Sequence, residues 1–231
     1  MIVIENLVKK FGEQVAVNIP SLKINKGEVI GLVGNNGAGK TTLFRLILDL
    51  YQADEGFVTN KDLNVAQSED WKIFTGAFID SGFLIDFLKP EEYFEFLGKM
   101  HDIKKEVVKE RLVDYEKFMA GEILGKKKYL RNFSAGNRQK IGIVGAMLIH
   151  PEVLILDEPF NFLDPSSQVE MKRLIQRINE QGTTVLISSH NLDYVVDASS
   201  RILLMERGQI IKDLPNTNNE AEAELKSYFE A

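Results

Sequence analysis

Apolar residues alternate with others at Ile2 and Ile4, and again at Val15, Val17 and Ile19. This is the period of half-buried strands. Lys10-Phe11-Gly12-Glu13 lies between the two runs and offers a turn, which predicts an antiparallel pair. Lys26-Gly27-Glu28 then turns the chain into Val29-Ile30-Gly31-Leu32-Val33. That run has no polar face and predicts a strand buried on both sides. The period changes after a glycine-rich stretch, where Leu43, Leu46, Ile47 and Leu50 share one face of a helix over 40–50. Strand, glycine loop and helix in that order open an α/β nucleotide-binding core.

From 91 to 150 the period is helical throughout, with Pro90 suited to a helix start. Tyr93, Phe94, Leu97 and Met100 form one apolar stripe; Val107, Val108, Leu112 and Tyr115 form another. The α/β pattern returns with the strand Val153-Leu154-Ile155-Leu156, a helix over 166–181 ended by Gly182, and the strand Thr184-Val185-Leu186-Ile187. Residues 201–213 read as a hairpin turning at Arg207-Gly208. The acidic stretch 220–230, with Leu225, Tyr228 and Phe229 on its apolar side, predicts a docking helix rather than a membrane binder, because surface-seeking helices are usually basic. The expected organisation is one domain over 1–231, with an α/β core at about 1–80 and 151–213. An antiparallel β subdomain begins it, a helical lobe is inserted at about 81–150, and a tail follows from about 214.

Charge and composition narrow the chemistry. Lys and Arg number 28 against 34 Asp and Glu, a net charge of −6. Nucleic acid is therefore not an expected partner, because counterion release needs clustered cations. The absence of Cys excludes disulfides, iron–sulfur clusters and thiolate zinc sites. The N-terminal residues lack a signal peptide's basic and apolar regions, and the longest apolar stretch, 141–149, falls short of the about 20 residues that span a bilayer. A cytoplasmic setting is expected.

Gly34-Asn35-Asn36-Gly37-Ala38-Gly39-Lys40-Thr41 matches G-x-x-x-x-G-K-[ST] between a predicted strand and a predicted helix. Glycines let the backbone curl so that successive N–H groups face phosphate oxygens. Lys40 supplies a cation between β- and γ-phosphates, the Thr41 hydroxyl can ligate magnesium, and the helix start adds its positive end. The strand ending at Leu156 runs into Asp157-Glu158. Two carboxylates after four apolar residues are costly unless a cation waits there. Asp157 is the candidate magnesium partner and Glu158 the candidate general base for an attacking water.

With Phe133-Ser134-Ala135-Gly136-Asn137-Arg138-Gln139-Lys140 upstream of that pair, the chain resembles the ABC-type ATPases over nearly its whole length. The segment resembles the family signature. Asn161-Phe162-Leu163-Asp164 resembles the D-loop, His190 the switch histidine, and Phe11 the aromatic residue that stacks on adenine. Gly76-Ala77-Phe78-Ile79-Asp80 falls where the family has a strand ending in the Q-loop glutamine. The resemblance implies ATP and magnesium as ligands. It implies nucleotide contacts from Phe11, from Gly34 through Lys40 with Thr41 and Thr42, and from Ser134, Gly136, Asn137 and Asp164. Thr41, Asp80 and Asp157 would hold the metal. Lys40, Glu158 and His190 would carry the chemistry.

The resemblance further implies that two subunits meet head-to-tail, as a homodimer or with a paired ATPase subunit, each signature closing the other's phosphate loop. Ala135 and Asn137 replace Gly and Gln of the common signature, and Asp80 replaces Gln, which puts a charge near magnesium. The resemblance suggests subgroups that carry a carboxylate there, including peptide-antibiotic and drug efflux ATPases. The expected function is ATP hydrolysis powering a separate membrane permease, in export, from the inner face of the cell membrane. The alternative is a soluble ATPase of the same family serving iron–sulfur cofactor assembly.

Overall fold

In the computed structural model, β1 (Ile2–Phe11) and β2 (Gln14–Ile24) form the expected antiparallel pair. The left-handed Gly12 (φ +62°) turns the chain between them. The structure describes residues 1–216, 221, 224 and 225. After β3 (Val29–Val33) and α1 (Lys40–Ile47), two strands follow that the apolar pattern did not announce: β4 (Glu55–Asn60) and β5 (Leu63–Asn64). They complete a four-stranded sheet in the order β2-β1-β4-β5.

The second sheet carries the site. Its strands are β6 (Thr75–Phe78), β7 (Val153–Leu156), β8 (Thr184–Ser189), β9 (Arg201–Glu206) and β10 (Gln209–Pro215), with β3 near the centre. The order is β10-β9-β3-β8-β7-β6, parallel except for the β9–β10 hairpin. Residues of β3, β7 and β8 are buried along their whole length, as continuous apolar runs require. Alternate residues feed two cores. Ile30, Leu32, Ile155 and Leu186 pack toward α1 and the first sheet. Val29, Val33, Leu154, Leu156, Val185 and Ile187 pack toward the helices on the opposite face.

Helix α1 ends before the expected residue 50. Asp49 takes a left-handed conformation (φ +52°), and the Asp49 and Leu50 amides bond back to the carbonyls of Leu46 and Arg45 at 3.2 and 2.8 Å. This is a Schellman ending built on Asp where Gly is usual.

The stretch 91–150 is also less helical than its period suggests. It holds α2 (Pro90–Met100), α3 (Lys105–Val113), α4 (Glu116–Met119) and α5 (Ala135–Leu148). Left-handed Ala120, Gly121 and Gly125 stop α4, and only a 3-10 turn at Leu130–Asn132 interrupts the coil before α5. Tyr93 and Phe94 are buried as expected, whereas Met100, at the end of α2, is exposed.

Helix α6 (Pro165–Glu180) is capped by Asp164, and α7 (Leu192–Val196) follows β8. Ala221 and Leu225 are buried in the core on the helix-covered face. Glu224 is exposed, and the other residues of the expected C-terminal helix, including Tyr228 and Phe229, lie outside the described residues. Among the described residues no helix is long and apolar enough to cross a membrane.

Candidate nucleotide-binding site

The loop between β3 and α1 needs its glycines. Gly37 and Gly39 lie at φ +83° and +108°, and a Cβ at Gly39 would stand 2.5 Å from the Ala16 carbonyl. Helix α1 starts with no side-chain cap and no acidic residue in its first turn, so its first amides remain available to an anion. Lys40 is 6 % exposed and folds back over its own loop, donating to the Gly34 carbonyl at 2.7 Å and to that of Asn35 at 3.4 Å. Its ammonium also lies 3.4 Å from Glu158 Oε1. A buried cation is tolerable only with such partners.

Parallel pairing sets β7 beside β6 and β8, so their C-terminal ends open at one edge with that of β3. Asp157 emerges there, buried, and accepts hydrogen bonds from Thr41 Oγ1 at 2.5 Å and from the Ser188 hydroxyl. Burial pushes its carboxyl above the ordinary value, against the lowering effect of those two hydroxyls; the neighbouring Glu158 charge adds to the rise. Glu158 points its second carboxylate oxygen at His190 Nδ1, 2.9 Å away. An ionised carboxylate only accepts, so in this contact the ring donates.

Glu158 and residues 36–42 line a cleft of about 590 Å³ together with Phe11 and Arg207, and Asp157 and His190 adjoin it through Thr41 and Glu158. Phe11 is half exposed and meets the Tyr51 ring edge-on at 5.5 Å, leaving a ring on the cleft wall. The structure thus brings together Phe11, the phosphate loop, Asp157, Glu158 and His190.

Three groups of expected residues sit elsewhere. Ser134 caps α5, its hydroxyl accepting the Asn137 N–H at 3.3 Å, and neither they nor Gly136 line the cleft of their own chain. Asp164 is exposed. Hydrogen bonds from Ser166 and Ser167 hold its carboxyl below the ordinary range, and Lys140 lies 3.9 Å away. The magnesium role expected of Asp80 meets a competing set of contacts. Its Oδ1 accepts the Gly82 N–H at 2.5 Å, and Arg45 lies 3.5 Å from Oδ2. Among the described residues no group of three or more histidines or carboxylates could hold a metal ion.

Arg207 was missed by sequence reasoning. Residues 207–208 read only as a hairpin turn, yet Gly208 bonds to Ala38 and Asn18, at 2.8 and 2.7 Å, and this brings Arg207 to the cleft. A cation in a turn gives no sign of what it faces.

A sheet with its strand ends at a phosphate-type loop, a buried Asp beside the loop's Thr, and an adjoining Glu define a phosphate-loop nucleoside triphosphatase. Residues 17–161 match the family model described as ABC transporter. The chain is 34 % identical over 210 residues to the uncharacterized ABC transporter ATP-binding protein YhaQ of Bacillus subtilis, covering 90 % of this chain and 69 % of that one. It is 33 % identical over 220 residues to the bacitracin transport ATP-binding protein BcrA of Enterococcus faecalis, covering 91 % and 68 %. Its fold matches a solved ATP binding subunit of an ABC transporter at TM-score 0.88 and 22 % identity, covering 100 % of this chain and 98 % of that one. The chain belongs to the ABC transporter family, as an ATP-binding subunit that hydrolyses ATP.

Proposed function

We propose that the chain binds ATP with its base against Phe11 and its phosphates on residues 34–42, and hydrolyses it by in-line attack of water. The convergence of Lys40, Thr41, Asp157 and Glu158 at one end of the cleft carries this reading. The Thr41 hydroxyl and the buried Asp157 carboxylate are hard oxygen donors in contact, a pair that fits magnesium. A magnesium ion held there would supply charge against the phosphate oxygens. Lys40 binds β- and γ-phosphate oxygens, which compete with Glu158 for its ammonium and leave that carboxylate free to take a proton from water. His190 orients the Glu158 carboxylate through Nδ1 and contacts the γ-phosphate in the ATP-bound state.

The subunit works as one domain in a head-to-tail pair, with Ser134, Gly136 and Asn137 of each chain closing the other's cleft and Asp164 coupling the two. The position of the signature outside its own cleft supports this. The pair drives a separate membrane permease from the cytoplasmic face, and the direction is export. The names of the two relatives favour transport over cofactor assembly, and the carboxylate at position 80 supports export.

Glu158→Gln tests the chemistry. Loss of the base should slow hydrolysis by about 10²–10⁴ while ATP binding persists; near-normal turnover would remove Glu158 from the base role. Uptake of the permease's substrate into inverted vesicles on adding ATP tests direction, and loss of preloaded substrate would mean import.

A further inference from the structure

Glu158 lies at φ +48°, a left-handed conformation that a residue with a Cβ keeps only where its surroundings impose it. Two side chains from different elements hold it there. Ser188 of β8 accepts the Glu158 N–H through Oγ at 2.9 Å, and Gln139 of α5 donates Nε2–H to the Glu158 carbonyl at 3.0 Å. Ser188 is fully buried and Gln139 is 6 % exposed. The residue is therefore gripped by its main chain on both sides, and only its carboxylate is left to face Lys40 and His190.

We propose that Gln139 is a positioning residue for Glu158, fixing the peptide that aims the base. The inference rests on the base role of Glu158. Ser188 also bonds Asp157, so replacing it would disturb two groups at once. Among the described residues the Gln139 amide hydrogen-bonds to that one carbonyl, which makes it the cleaner probe. The same helix carries Ser134 at its N-cap, and a Cβ on Gly136 would stand 2.6 Å from the Phe162 carbonyl. Helix α5 thus touches the loop after β7 at two points and carries the signature turn on the same rigid element.

The test compares wild type, Gln139→Leu, Gln139→Glu, Glu158→Gln and the Gln139→Leu/Glu158→Gln double variant. ATP affinity and the hydrolysis rate at saturating ATP are measured for each. Gln139→Leu keeps volume and removes the donor. Its rate should fall about tenfold or more with ATP affinity unchanged, because a misaimed group loses rate rather than binding. In the double variant the same change should cost nothing further. Gln139→Glu can donate only when protonated, so its rate relative to wild type should climb as pH is lowered, which a packing role would not produce. A wild-type rate for Gln139→Leu overturns the inference. So does an equal loss in both backgrounds, or a flat pH ratio for Gln139→Glu. If Glu158→Gln itself turns over normally, the base role falls and the inference with it; a slow Glu158→Gln beside a fast Gln139→Leu sinks the inference alone.

Discussion

Arg45 Nη2 lies 3.5 Å from Asp80 Oδ2, tying the helix after the phosphate loop to the turn after β6. The carboxylate at position 80 therefore has two protein partners, the Arg45 guanidinium and the Gly82 amide. An Asp is one methylene shorter than the Gln common at this position, which favours bonding to its own turn over reaching outward.

This arrangement predicts the outcome of Asp80→Gln. The ratio of ATP affinities with and without magnesium should stay within about twofold of wild type, since the half-exposed pair with Arg45 is worth at most about 1 kcal/mol. Loss of the turn contact to Gly82 should lower stability by about 1 kcal/mol in urea titration. Collapse of the magnesium ratio would instead put Asp80 on the metal.

Ser134→Arg separates binding from assembly. Ser134 is outside its own chain's cleft, so ATP affinity of the monomer should be unchanged. The cap on α5 is lost at a cost of about 1 kcal/mol. In a head-to-tail pair the bulky cation would occupy the space of the facing γ-phosphate and block closure. Sizing Glu158→Gln against the Ser134→Arg/Glu158→Gln double variant in ATP should show dimer only for the first; equal dimer fractions would refute the arrangement.

What could be read from residue order depended on whether the physical cause was local. The phosphate loop is contiguous, and its glycines, Lys40 and Thr41 declare their chemistry in order; β7 with Asp157 and Glu158 does the same. The end of α1 was misread because Asp49 takes a conformation for which Gly is the usual sign. The coil after α4 was misread because apolar residues recur there without a helix, and Ile123, Leu130 and Phe133 are buried from loops. Strands β4 and β5 were missed because most of their residues are not fully buried and the apolar alternation is weak. Gln139 and Arg207 reach across long sequence separations, one to a main-chain carbonyl and one from a hairpin tip to the cleft, and residue order does not show what either side chain faces, although Gln139 lies within the signature-like segment.

Asp157→Asn should trade function for stability. Burial pushes the Asp157 carboxyl above its ordinary value, so the folded chain holds that proton more firmly than the unfolded chain does. The sign follows: stability tied to this group is greatest below the unfolded value, near pH 4, and declines as pH rises to the folded value. Above that window the cost of an ionised, buried carboxylate is constant. Asn removes the charge and still suits its neighbours, because the Thr41 and Ser188 hydroxyls can each donate or accept. Measured in EDTA, the Asn variant should therefore melt above wild type at neutral pH. A gain of about 1 kcal/mol would appear as about 2–4 °C in a chain of this size. The advantage should shrink as pH is lowered through the window toward 4. Magnesium should reverse the order in ATP, because the variant keeps Lys40 and the loop amides but loses the charged oxygen beside Thr41. Its ATP affinity should then be nearly the same with and without magnesium. A lower melting temperature at every pH would show that the lost hydrogen bonds outweigh burial, and an intact magnesium ratio would remove Asp157 from the metal site.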